Sequence, residues 1–193
     1  WAFLRGGDIL ETSGGHPGRW LHQPSYDTFA PGLETFFDAP TPFTGDYRAA
    51  HVTRISLDAR TDDVDFGDGV GFELTLLLRN TRGTPLDFDD DDYAYFVGPN
   101  VPRVGEGWVS YDYDVPSQFE GTVPPGWKGG WVGDCETFRP GVTWPEVMAS
   151  VDRVELWWID PCLFAIFQNW NVGVDNLAIE HGDPAGAEED DGP

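Results

Sequence analysis

The sequence predicts an all-β fold: a jelly-roll β-sandwich of two antiparallel sheets, with one short helix near 144–151. Three observations carry this reading. Apolar residues alternate with polar ones at period two along several stretches. The 24 glycines and 16 prolines among 193 residues punctuate the chain every few positions. Helical spacing of apolar residues is confined to one short segment.

Taken in order, Trp20-Leu21 enters a strand after a Gly- and Pro-rich turn, and Thr53 to Ala59 puts Ile55 and Leu57 on one face. Phe72, Leu74, Leu76 and Leu78 alternate with Glu73, Thr75, Leu77 and Arg79. Trp108 begins a strand in which Val109, Tyr111, Tyr113 and Val115 alternate with Ser110, Asp112 and Asp114. Val154 to Ile159 and Val172 to Ile179 complete the set. Asp68-Gly69, before an alternating run, reads as a hairpin turn. Thr143 or its neighbour starts the helix, with Pro145 near its first position and Glu146 in its first turn. Trp144, Val147, Met148 and Val151 form its apolar face, so it plugs one end of the sandwich. Residues 116–143 are a Pro-, Gly- and Trp-rich loop. No internal repeat occurs, which excludes a solenoid or propeller. The domain is therefore 1–180. Residues 181–193 form an acidic tail with no aliphatic side chain larger than Ala, a composition without the means to fold alone.

Charge narrows the function. The 34 acids against 11 bases give −23, which excludes a general nucleic-acid binder and opposes docking on anionic lipid. No run of about 20 apolar residues exists to span a bilayer. The acidity has three readings: divalent cation binding, adaptation to salt or colloidal solubility, and a solvated loop surface. Cys135 and Cys162 lack zinc-ligand spacing and read as a disulfide closing a loop of about 28 residues, worth about 3.5 kcal/mol on the chain-entropy estimate. Two buried thiols are the alternative. A disulfide places the chain in an oxidising compartment, secreted or at the cell surface. The start at Trp1-Ala2-Phe3-Leu4, without Met, reads as a mature exported chain or a fragment.

The run Ser13-Gly14-Gly15-His16-Pro17-Gly18-Arg19-Trp20-Leu21 resembles the GGNPGGY signature that opens laminin IV (laminin B) domains. Asp27, Ala39-Pro40 and Pro42-Phe43-Thr44-Gly45-Asp46-Tyr47 resemble the stretch that follows it. Trp170-Asn171-Val172-Gly173-Val174-Asp175-Asn176-Leu177 resembles the closing GLDNV strand, also found in exported bacterial jelly rolls and galactose-binding-like modules. His16 stands where the signature has Asn, and Arg19-Trp20 where it has Gly-Tyr. The resemblance implies a secreted or surface jelly roll without a shared catalytic site. It also implies that Asp175, on the last strand, ligates a structural Ca²⁺ that pins the N-terminal segment, with Asp8, Glu11, Asp27 and Asp46 as candidate partners. The alternative is that Asp175 and Asn176 bond backbone groups to fix a turn.

Other candidates are set against plainer readings. Asp62 to Gly69 fails the EF-hand spacing. The run Asp87-Phe88-Asp89-Asp90-Asp91-Asp92 is a cation site or, as like-charge runs usually are, a solvated loop. Of nine tryptophans, Trp127 and Trp131 flank Lys128-Gly129-Gly130 in a loop and Trp108 opens a strand; these three form the candidate sugar-stacking set. Trp157, Trp158 and Trp170 read as core. Glu106, Glu120 and Glu155 are carboxylates without a distinguishing arrangement, and no nucleophile motif accompanies the four histidines. The sequence thus points to a non-catalytic extracellular structural or adhesive protein, stabilised by Ca²⁺ and associating with itself through its apolar N-terminal segment. A carbohydrate-binding module is the alternative, and a polysaccharide-active enzyme the least supported reading.

Overall fold

The structure, a computed structural model, describes residues 1–4, 6–36, 41–65 and 67–183. Ala39-Pro40, Phe66 and the tail from residue 184 lie outside the described residues. The elements run β1 (Ala2–Phe3), β2 (Ile9–Gly15), β3 (Gly18–Thr28), β4 (Gly32–Glu34), β5 (Val52–Val64), β6 (Glu73–Asn80), β7 (Asp92–Asn100), β8 (Val109–Asp114), β9 (Trp127–Trp131), α1 (Trp144–Met148), β10 (Arg153–Trp157) and β11 (Gln168–His181). They form two antiparallel sheets, ordered β1-β4-β10-β6-β7-β9 and β2-β3-β11-β5-β8. The chain is a β-sandwich, as the alternation predicts.

Period two builds the core. Leu74, Leu76 and Leu78 of β6 and Val154 and Leu156 of β10 face inward from the first sheet. Ile55, Leu57 and Ala59 of β5, Trp170, Val172 and Val174 of β11, and Tyr111 and Tyr113 of β8 meet them from the second. Each fully buried aliphatic side chain contributes about 1.5–3 kcal/mol. Trp144, Val147 and Met148 of α1 close one end. Glu146 accepts from the Thr143 N–H and hydroxyl, which caps the helix start. The helix ends before Val151, shorter than the spacing suggests. The Val151 N–H and C=O are instead taken by Gly45 in a β-bridge.

The two sheets differ in what covers them. Leu77 and Thr75, on the outer side of β6, are buried. The loop through Phe88 roofs this face, with the Phe88 ring 5.9 Å from the Arg79 guanidinium and 5.2 Å from that of Arg153. Arg153 donates to the Pro85 carbonyl at 2.9 Å, and Cys162 Sγ lies 3.1 Å from the Tyr95 hydroxyl. Beneath this roof Arg79 makes a bidentate pair with Glu155 (2.6 and 3.1 Å) and a third bond to Asp91 at 3.2 Å. Burial pushes the Glu155 carboxyl up, but Arg79 outweighs it and holds the group below the usual carboxylate range. For Asp91 burial wins and the shift is upward.

Several expectations are corrected. Asp68-Gly69 turns the chain from one sheet to the other, because β5 and β6 belong to different sheets. The Asp87–Asp92 run is not wholly solvated: Asp91 and Asp92 are buried, and Asp92 pairs with Arg82 at 2.6 Å and Arg139 at 3.4 Å. The apolar segment Trp1–Leu4 is used within the chain. Phe3 is buried against Trp158, and β1 pairs with β4. The Cys135–Cys162 disulfide is present, with Cα atoms 5.6 Å apart.

Candidate functional site

With the first sheet roofed, the second presents the open face. Its cross-strand row is set by register: Ile9 on β2 is opposite His22 on β3, His22 opposite Gly173 on β11, and Gly173 opposite Arg60 on β5. Alternation sends Leu21, Val174 and Ala59 inward, so His22, Gly173 and Arg60 point outward. Gly173 is required by close approach. A Cβ there would sit 2.2 Å from the Trp20 ring, so the benzene edge of the indole abuts this position.

An aromatic and polar cluster is built on that indole. The His22 ring stacks on Trp20 at 4.3 Å, and Trp108 meets it edge-on at 5.4 Å. The Arg60 guanidinium lies 4.7 Å from the Trp20 ring and 5.3 Å from the Trp108 ring, favourable for a cation over aromatic faces. Asp62 accepts from Arg60 Nε at 2.9 Å and fixes its position. His22 is held at both nitrogens, 3.0 Å from Glu11 and 2.8 Å from Asn171. Trp20 is buried, whereas Trp108, His22, Arg60, Asn171 and Glu11 are half-buried and keep part of their surface in water.

The Gly-Pro turn supports this cluster. Trp20 Nε1 donates to the Ser13 carbonyl at 3.0 Å and Trp108 Nε1 to the Gly14 carbonyl at 3.1 Å. The turn is anchored below by two carboxylates. Asp175 accepts the His16 N–H at 2.5 Å, and a Cβ on Gly15 would collide with it. Asp58, buried on β5, accepts from Ser110 at 2.5 Å, Asn176 at 2.6 Å and His16 Nδ1 at 2.9 Å. Burial pushes its carboxyl up, but these three hydrogen bonds prevail and hold it below the usual range. Ser110 donates to the aspartate and not to the histidine, so the three groups do not form a nucleophile–base relay.

The candidates read from the sequence separate. Asp175 accepts the N–H groups of His16 and Asn176, one on each carboxylate oxygen, which fixes the turn. Glu11 is spent on His22. Asp27 accepts from Asn169 Nδ2, and Asp46 accepts the N–H groups of Arg48 and Ala49 in a turn. Asp8 precedes β2. Among the described residues no three His, Cys, Asp or Glu side chains group so as to hold a metal.

The tryptophan set also divides. Trp127 is core, its ring 5.7 Å from Phe96 and 5.0 Å from Trp144, because β9 is a strand and not a loop. Trp131 ends that edge strand under Arg139 at 5.2 Å. Only Trp108 of the three stands on the open face. Trp158 and Trp170 are core as expected, but Trp157 is half-buried on the outer side of β10. Sequence reasoning missed Trp20, His22, Arg60 and Asn171 as site residues. The available signal was Trp20-Leu21-His22 alternation facing Asn171-Val172-Gly173, where a mid-strand glycine marks close approach.

No family model matches the chain, and no curated protein matches it. Among solved structures it is similar to one described as the structural analysis of an exo-β-agarase, at TM-score 0.46 and 16% identity. That match covers 95% of this chain and 23% of the other, so the chain spans about a quarter of that protein's length. The laminin IV resemblance stays a likeness of short motifs.

Proposed function

We propose that the chain is a non-catalytic glycan-binding β-sandwich module of an exported protein, which takes a neutral sugar chain on the open face of its second sheet. The observation that carries this reading is the Trp108 ring. It is half-buried, set edge-on against Trp20, and tied by its N–H to the Gly14 carbonyl. A preorganised aromatic of this kind offers a stacking surface at little entropic cost. Arg60, Asn171, Glu11 and Asp62 supply charged and amide groups around it for sugar hydroxyls. The net charge of −23 disfavours sulfated or uronate-rich chains, hence a neutral glycan.

The non-catalytic part of the reading is supported by where the named acids sit. Glu155 is locked by Arg79, Glu120 pairs with Arg48, and Glu106 accepts the Arg103 N–H in a turn. The disulfide supports an oxidising compartment. Among the described residues no helix is long and apolar enough to cross a membrane. Affinity electrophoresis in gels containing neutral polysaccharides, with sulfated ones alongside, tests the proposal. Retardation in neutral gels that disappears in Trp108→Ala supports it; no retardation in any gel refutes it.

A further inference from the structure

A second surface lies at one end of the sandwich, where β3 runs out and the loop after β10 returns. A cleft of about 290 Å³ is lined by Tyr26, Phe29, Trp157, Ile159, Leu163 and Phe164. Its rim is unusually apolar for a protein of this charge. Phe164 is 87% exposed, and Phe29, Leu163, Ile166 and Phe167 are each half exposed or more. These side chains form one patch, with Phe29 5.3 Å from Phe167 and 6.0 Å from Phe164.

The loop that presents them is tied down. Cys162 is bonded to Cys135, its N–H donates to Asp160 at 2.8 Å, and the Leu163 N–H donates to the Asp160 carbonyl at 2.9 Å. Clustered aromatics held in water by a covalent tie mark an interaction surface. The volume falls at the lower end of small-molecule sites and suits a single anchoring side chain.

Charge selects the occupant. Exposed Asp27 and Asp65 flank the patch where they hold Asn169, whereas Asp160 is already paired with Lys128 at 3.4 Å. At −23, a second copy of the chain and an anionic membrane are both repelled. We infer that the cleft docks a basic polypeptide segment that inserts one large apolar side chain into it against Phe29 and Phe164, with its cations facing Asp27 and Asp65. The site is separate from the glycan face. About four strand residues, roughly 13 Å, separate Phe167 from Asn171.

The test uses the whole chain and three synthetic peptides: acetyl-Lys-Lys-Trp-Lys-Lys-amide, its Glu-Glu-Trp-Glu-Glu counterpart and Lys-Lys-Gly-Lys-Lys. Binding is read by fluorescence anisotropy of labelled peptide. The first peptide should bind, and the other two at least tenfold more weakly. Phe164→Ser or Leu163→Ser should weaken the first by tenfold or more with an unchanged melting temperature. Asp27→Asn with Asp65→Asn should weaken it several-fold, whereas Trp108→Ala should leave it intact. Equal binding of the glycine peptide, or no effect of Phe164→Ser, overturns the proposal. So does finding that Phe164→Ser abolishes binding to phosphatidylcholine vesicles, or disperses a dimer seen by light scattering, while peptide binding stays absent.

Discussion

The benzene edge of the Trp20 indole abuts Gly173, so close that a single added methyl group would meet its ring at 2.2 Å. This contact sets the height of the cluster on the open face. Trp108, His22 and Arg60 all pack on Trp20. Gly173→Ala should therefore act twice. Overpacking on a central strand costs about 1–3 kcal/mol, a fall in melting temperature of about 2–4 °C per kcal/mol for a chain of this size. Glycan retardation should fall in parallel, as thermal melts and affinity gels on one preparation will show.

The two tryptophans expected to act together should separate by readout. Trp127→Ala removes a core ring that contacts Phe96 and Trp144 and should destabilise by about 3–5 kcal/mol. Trp108→Ala should leave the melt within a few degrees of wild type and abolish glycan retention. Similar melts for both variants would contradict the placement of β9.

The Arg79–Glu155 pair gives a pH prediction. Glu155 is held below its ordinary value, so its contribution is present above the unfolded carboxyl range of about 4.3 and is lost as pH falls through its folded value. Asp91 is shifted up and acts with the opposite sign: its contribution favours folding at low pH and fades as pH rises through its folded value. Glu155→Gln should cost about 3–5 kcal/mol at pH 7 by leaving Arg79 buried without its main partner. The gap between variant and wild type should narrow on acidification below about pH 4. Chemical denaturation at pH 7 and pH 3.5 reads both effects.

Metal removal gives a third contrast. If Asp175 works through the His16 and Asn176 N–H groups, the melting temperature in EDTA should match that in Ca²⁺. A fall of several degrees on chelation would restore the cation to the turn.

What was legible in the sequence follows from the physics of burial. Runs such as Leu74, Leu76 and Leu78 alternate because one face of their strand meets a core, and that period survives in the text of the chain. β7 and β9 were not legible: Gly98-Pro99 and Gly129-Gly130 interrupt any alternation, and the outer face of their sheet is roofed as well. Asp91 and Asp92 read as solvated because the neutralising guanidiniums lie outside their run, Arg79 pairing with Asp91 and Arg82 and Arg139 with Asp92. The site was half visible. Trp108 could be named from its place before a strand, but its setting depends on Gly173 and Trp20 meeting across β3 and β11, a register that no local pattern encodes.

The most direct test of the account is the binding of neutral polysaccharides to wild-type protein and to Trp108→Ala, with the thermal melt of each recorded alongside. The account predicts saturable binding by wild type, loss of at least tenfold in the variant, and melts within a few degrees of each other. Unchanged binding in a correctly folded Trp108→Ala, or no binding by wild type to any neutral glycan, would contradict it.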